Sequence, residues 1–189
     1  AFLTAAEEIE KEFSIPVRVV DTRLNSGAQG LLVIRAAEAI EQGRSFSEVK
    51  TLLEEEREKT GIIVALDNLR TMIRGGRLST LQGWAARSLH LKPLVTLDHQ
   101  GKGALAGKSF TRAGSERTIL KRAQEAMEQG GVDAFAVVHS GAEERARALE
   151  KKLASLIGFP ALFIMEISSG VALNAGLGAV AFCYRAAAP

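Results

Sequence analysis

Apolar residues recur along this chain at two spacings, and the switches between them mark its elements. Phe2, Ala6, Ile9 and Phe13 share one face of a helix over 2–13. That helix stops before Pro16, and Val17-Arg18-Val19-Val20 reads as a short strand ending at Asp21-Thr22. A small-residue turn at 25–30 leads into a helix over about 27–42, with Leu31, Ile34, Ala37 and Ile40 inward and Gly43 as its stop. Ser45-Phe46-Ser47-Glu48 is a capping box for a further helix to about residue 59.

After Thr60-Gly61 the character changes. Ile62-Ile63-Val64-Ala65-Leu66 is a continuous apolar run suited to a central strand. A short helix broken by Gly75-Gly76 and another over about 80–89 follow. Residues 94–97 and 103–107 flank Asp98-His99-Gln100-Gly101-Lys102 as a hairpin. Ser115 is expected to cap a helix to about 129, followed by a strand over 134–138, a helix over 142–156, a strand over 161–167 and a last strand over 177–184. Alternating elements of this kind predict an α/β protein, and the hairpin predicts a mixed sheet in its second part. A lobe boundary is expected near Thr60, dividing the chain into 1–60 and 61–189.

Composition narrows the function classes. The 189 residues are 47% hydrophobic and 24% charged, ordinary for a globular protein. Twenty-four basic against 22 acidic side chains leave a formal net charge of +2, which makes no electrostatic case for nucleic acid or an anionic membrane. No apolar stretch is long enough to span a bilayer, and no secretory leader opens the chain, so a reduced cytoplasm is the expected setting. The lone Cys183 sits in an apolar run and reads as a small buried hydrophobe. The first helix has no capping residue before it, so the chain is expected to be a fragment or processed piece.

Candidate chemistry gathers in two Gly-rich segments. Arg74-Gly75-Gly76-Arg77-Leu78-Ser79 places cations beside a bend that tolerates positive φ, a combination suited to an anionic head group. Arg77 either faces an anion or braces the bend by bonding loop carbonyls. Asn174-Ala175-Gly176-Leu177-Gly178 is the second bend, a tight turn or a head-group contact. Ser26 and Gly30 lie at a helix start, where free N–H groups favour an anion or are simply capped. Lys92 reads as a surface charge. His90, His99 and His139 have no metal spacing; His99 is expected at a hairpin tip, and His139 either lines a cleft or is an ordinary strand-end residue, the second reading preferred. Asp21 and Asp67 follow strands, where Asp commonly caps the next helix, so catalysis by paired acids is discounted. Phe110, Phe135, Phe159, Phe163 and Phe182 fit a core or a tunnel wall equally well.

Taken together, these segments resemble the DegV family. Val19-Val20-Asp21-Thr22 with Ser26 and Gly30 is similar to the family's strand ending in Asp-Ser/Thr with a downstream Ser and Gly. Leu66 to Leu69, Gly75 to Ser79 and Leu91-Lys92-Pro93-Leu94 resemble its Leu-x-x-Leu, Gly-Gly-Arg-Ile-Ser and Ile-Lys-Pro pattern. Lys108 to Arg117 is similar to its Lys-x-Arg-x-x-Lys segment, with Arg112 as the matching Arg. Asn174 to Gly178 looks like His-Thr-Gly-Pro-Gly with the His and Pro replaced. The resemblance implies a two-lobed bacterial α/β binder, its N-terminal lobe incomplete here, that buries a fatty acid between lobes. It implies no catalysis, no metal and no cofactor besides the bound lipid. It also implies a partner kinase to which the carboxylate is presented, without nucleic-acid binding or membrane insertion. The site residues carried over are Ser26, Gly30, Gly75, Gly76, Arg77, Arg112, Asn174 and Gly176. Two departures stand out: Asn174 replaces a carboxylate-contacting His, and the family's Thr-Ser and Ser-Gly-Thr segments have no counterpart here. The alternative is an interaction or regulatory module cut from a longer protein; a small enzyme on a phosphorylated or acylated substrate ranks below both.

Overall fold

The computed structural model describes residues 2–68, 70–71 and 91–187. Helices α1 (Phe2–Phe13), α2 (Ser26–Glu41) and α3 (Phe46–Glu56) come first, and a 3₁₀ turn at Arg57–Lys59 leads into strand β1 (Thr60–Ala65). The hairpin β2 (Lys92–Leu97) and β3 (Gly103–Ser109) precedes α4 (Arg112–Glu128), β4 (Val132–His139) and α5 (Glu143–Ile157). Strand β5 (Ile164–Glu166), helix α6 (Ser169–Ala175) and strand β6 (Val180–Ala186) complete the order. The strands form one mixed sheet in the order β3-β2-β1-β6-β4-β5. Only the β4–β5 pair is parallel among the described strands.

Side chains alternate between the sheet's two faces, and each face has its own cover. On one, Ile63, Ala65, Leu94, Phe135, Val137 and Phe182 pack beneath α4 and α5 through Ile119, Ala123, Ala146, Leu149 and Leu153. Phe135 lies between Phe159 and Phe182, with ring centroids 5.8 and 6.1 Å away. On the other, α2 sets Ala28 and Leu31 against Ile62, Ala134, Ala136, Val138, Ala181 and Cys183. Gly27 lets α2 approach this closely: a Cβ there would sit 2.7 Å from Val138 and 2.8 Å from the Cys183 sulfur. The expected boundary near Thr60 falls where the 3₁₀ turn meets β1, and the α2 contacts carry apolar packing across it.

Local rules hold where chemistry is local. The capping box is present: Ser45 N–H donates to Glu48 Oε2 at 2.8 Å, and the Glu48 N–H is directed back at the Ser45 hydroxyl. The hairpin turns at Asp98, whose Oδ1 accepts the N–H groups of Gln100 and Lys102.

Several expectations are corrected. Residues 17–20 are not a strand, because strand geometry needs a hydrogen-bonded neighbour and none among the described residues pairs with them. Side chains hold this stretch instead: Arg57 donates to the Asp21 carbonyl at 2.7 Å and Arg23 to the His99 carbonyl at 3.0 Å. Helix α4 starts at Arg112 rather than at Ser115; its cap is Thr111, whose hydroxyl accepts the Gly114 N–H at 3.0 Å. Strand β5 keeps only three residues of the expected 161–167 run. The second Gly-rich segment begins inside a short helix, α6, and β6 starts at Val180 rather than at 177. The helices expected around Gly75-Gly76 and over 80–89 lie mostly or wholly outside the described residues.

Candidate functional site

Ladder register builds the floor of a cavity. Val95 pairs with Val64, Val64 with Ala181, and Ala181 with Val138, so four strands contribute one row of side chains to the α2 side of the sheet. Helix α2 covers the neighbouring row, Ile62, Cys183 and Ala136. Beside α2's N-terminus a cavity of about 710 Å³ opens, lined by the Val95–Val64–Ala181–Val138 row. Leu66 and Leu97 extend the apolar wall. The Thr96 hydroxyl, also in the wall, is neutralised by donating to the Ile62 carbonyl at 2.7 Å.

The polar groups stand at the rim. One side is α2's start, Asn25 and Ser26, with Asp98, Gly101 and Lys102 of the hairpin turn. The other is α6, through Gly170, Val171 and Asn174. Ser26 has φ of 52°, left-handed for a non-glycine residue, and its hydroxyl is buried without a hydrogen-bond partner among the described residues. A buried hydroxyl in this state carries an uncompensated desolvation cost of about 1–3 kcal/mol, which a ligand oxygen would remove. Asn174 spends one amide hydrogen on the Gly170 carbonyl at 3.3 Å, leaving its second amide hydrogen and its side-chain oxygen.

A second cluster lies across the sheet. Leu66 faces the cavity, while the next residue, Asp67, meets the first residue of α4. Arg112 forks onto it, Nε to Oδ1 at 3.1 Å and Nη2 to Oδ2 at 2.5 Å, and Lys92 Nζ adds a contact at 3.3 Å. The Arg112 hydrogen bonds, with the Lys92 charge beside them, hold the Asp67 carboxyl below its ordinary range. The second Gly-rich segment closes over this pair. Gly178 has φ of 85°, and a Cβ there would sit 2.6 Å from Asp67 Oδ2. Its N–H donates to the Ser140 carbonyl, and its carbonyl accepts from Arg145, which pairs with Glu116.

The structure therefore distributes the expected site residues. Ser26 and Asn174 line the cavity. Gly30 does not; a Cβ there would come 3.1 Å from the Phe163 ring, so its smallness serves packing. Arg112 is also absent from the lining, its guanidinium committed to Asp67 on the opposite face. Gly176, with φ of 76°, lies against Thr71. Gly75, Gly76 and Arg77 lie outside the described residues. Lys92, read as a surface charge, is half-buried and bonded to Asp67. His139, at the end of β4, lines the cavity, and its Nδ1 accepts the Ala142 N–H at 3.3 Å. Phe135, Phe159 and Phe182 belong to the core beneath α4 and α5, Phe163 packs on the α2 side, and Phe110 is exposed. Lys102 was not singled out from sequence; only the hairpin's docking brings it to the rim.

Among the described residues, no group of three or more His, Cys, Asp and Glu is placed to hold a metal. No helix among them is long and apolar enough to cross a membrane.

The fold and cavity define an α/β protein with a mostly apolar ligand-sized hollow beside its sheet. A family model described as "Uncharacterised protein, DegV family" matches residues 2–187, and the chain belongs to the DegV family. A DegV domain-containing protein of Streptomyces coelicolor is 31% identical over 178 residues, covering 92% of this chain and 62% of its own length. One from Clostridium perfringens is 28% identical, covering 95% of this chain and 63% of the relative. The chain thus spans somewhat over three-fifths of the relatives it matches. Among solved structures, a fatty-acid-binding DegV family protein of Thermus thermophilus superposes with a TM-score of 0.81 at 30% identity, over 98% of this chain and 66% of that one. DegV of Bacillus subtilis, described as a fatty acid binding protein, gives 0.82 at 25% identity, over 97% and 65%.

Proposed function

We propose that this protein is a fatty-acid carrier, holding a long acyl chain in the cavity beside α2 and presenting its carboxylate to a partner kinase without performing chemistry itself. The carrying observation is the cavity: about 710 Å³, floored by the Val95–Val64–Ala181–Val138 row, with a few polar groups among its lining. That volume falls within the range of roughly 300–1,000 Å³ common for small-molecule sites, and its few placed polar groups suit an amphipathic ligand. The Thermus thermophilus and Bacillus subtilis relatives, both fatty-acid binders by description, support the same ligand class. Ser26 and Asn174 are the rim residues proposed to meet the head group. Arg112 is proposed to act outside the cavity, where its exposed edge is available to a partner.

Native mass spectrometry of the protein purified from a bacterial host tests the ligand. An adduct of fatty-acid mass, recovered by solvent extraction, is the expected result; intact folded protein with no such adduct, and no uptake of added dodecanoic acid, would overturn the reading. The partner is tested separately, by incubating loaded protein with ATP and a fatty-acid kinase. Acyl phosphate should form only when both proteins are present.

A further inference from the structure

Asn174 belongs to a helix that little holds from within. None of the seven residues of α6 is buried, so no fully packed side chain fixes it at the cavity. Its flanks are tied instead to the junction between β4 and α5. Ahead of α6, the Ile167 N–H donates to the His139 carbonyl at 2.8 Å, and the Glu166 carboxylate accepts the Gly141 N–H at 3.0 Å. Behind it, the chain lines the cavity at Asn174 and Ala175, leaves the lining over Gly176-Leu177-Gly178, and returns to it at Ala179. That outer bend is gripped at Gly178. Its N–H donates to the Ser140 carbonyl at 2.7 Å, and its carbonyl accepts from Arg145 Nη1 at 2.7 Å. Arg145 reaches the bend from α5, while its Nε donates to Glu116 Oε1 on α4 at 3.1 Å. Lys152 donates to the other Glu116 oxygen at 3.2 Å. The Arg145 and Glu116 side chains are 13% and 16% exposed, so water is poorly placed to stand in for either one.

We infer that Arg145 is a positioning residue for the head-group site: held by Glu116, it fixes the Gly178 carbonyl and so sets how α6 presents Asn174 to a carboxylate in the cavity. This role rests on the acyl reading and on the part given there to Asn174. Arg145 is not among the lining residues, so it acts through the bend and not on the ligand. A guanidinium suits the task, because its rigid fork meets a carbonyl and a carboxylate at once and carries the packing of α4 and α5 to the bend. A displaced α6 costs a charged head group most. Hydrogen bonds to a carboxylate are directional and stronger than those to a neutral hydroxyl, whereas burial of the acyl tail is non-directional.

The test is calorimetric titration with dodecanoic acid and with dodecan-1-ol, which share a tail and differ in charge. Wild type, Arg145→Met, Asn174→Ala and the double variant are compared, each shown to be folded by circular dichroism. Arg145→Met should lower acid affinity about fivefold, with a change under about twofold for the alcohol. Arg145→Lys, which keeps the charge and one donor, should recover part of the loss. Asn174→Ala should weaken acid binding to a similar extent, and Arg145→Met should then add nothing, because both act on one contact. Unchanged acid affinity in either single variant rejects the positioning role and leaves the acyl reading standing. Equal losses for both ligands, or a full further loss in the Asn174→Ala background, reject it in the same way. Where Arg145→Met does not fold, Glu116→Gln takes its place: it loosens the grip on Arg145 and should reduce the preference for acid about twofold, and an unchanged preference rejects the role. Wild type binding neither ligand overturns the acyl reading, and the role of Arg145 with it.

Discussion

Arg112 and Asp67, 45 residues apart in sequence, form a two-point ion pair that ties the first turn of α4 to the end of β1. The carboxylate is 18% exposed and the guanidinium 59%, so water screens the pair from one side. Arg112→Ala should cost about 1 kcal/mol, nearer the exposed than the buried limit for a bidentate pair. Asp67's carboxyl is held below its ordinary value of 3.8, chiefly by the Arg112 hydrogen bonds. A carboxylate with a depressed folded-state pKa adds stability above its unfolded pKa and loses it as pH falls through the folded value. Urea midpoints should therefore decline as the pH is lowered from the ordinary Asp value through the depressed one. Asp67→Asn should flatten that part of the profile; an unchanged profile would show that Asp67 contributes nothing to it.

Gly178 is a position where a methyl group has nowhere to go. Its left-handed φ and the 2.6 Å approach of a Cβ to Asp67 Oδ2 act together. Gly178→Ala should destabilise by about 1–3 kcal/mol. Part of that penalty comes from the pinned carboxylate, so Gly178→Ala combined with Asp67→Ala should cost less than the two changes summed. Strict additivity in denaturant titrations would locate the whole penalty in the backbone.

Val64 occupies the middle of the cavity floor, paired with Val95 on one side and Ala181 on the other. It is half-buried, with open space above it. Val64→Trp should fill that space and abolish fatty-acid adducts in native mass spectra while leaving the helical signal intact. Undiminished loading of a folded variant would place the ligand elsewhere.

Cys183 is wholly buried beneath α2, and burial pushes its thiol up to about 12. The thiolate is the reactive form, so the native protein should resist a thiol-specific reagent at pH 8. Labelling should appear only along the urea unfolding transition. Rapid labelling of native protein would mean that α2 lifts from the sheet.

What was legible in the sequence was local. The Ser45–Glu48 box, the hairpin around Asp98 and the apolar run at 62–66 each depend on residues a few positions apart, and each appears where periodicity and turn chemistry put it. Ser26 and Asn174 were picked out by family-like motifs, and both came to the cavity rim. Gly30, matched by the same motif as Ser26, packs against Phe163, and Arg112, matched by a looser segment, pairs with Asp67. Spacing along the chain does not reveal what a side chain will meet across a sheet. Residues 17–20 had strand composition but no partner, and pairing is a property of two segments. The cavity floor exists because ladder register aligns Val95, Val64, Ala181 and Val138, drawn from four separated strands. Lys102 reaches the rim because the Gly101 turn docks on Arg23. Element identity followed from short-range periodicity, whereas partners and empty space were decided by long-range register, which only the folded chain determines.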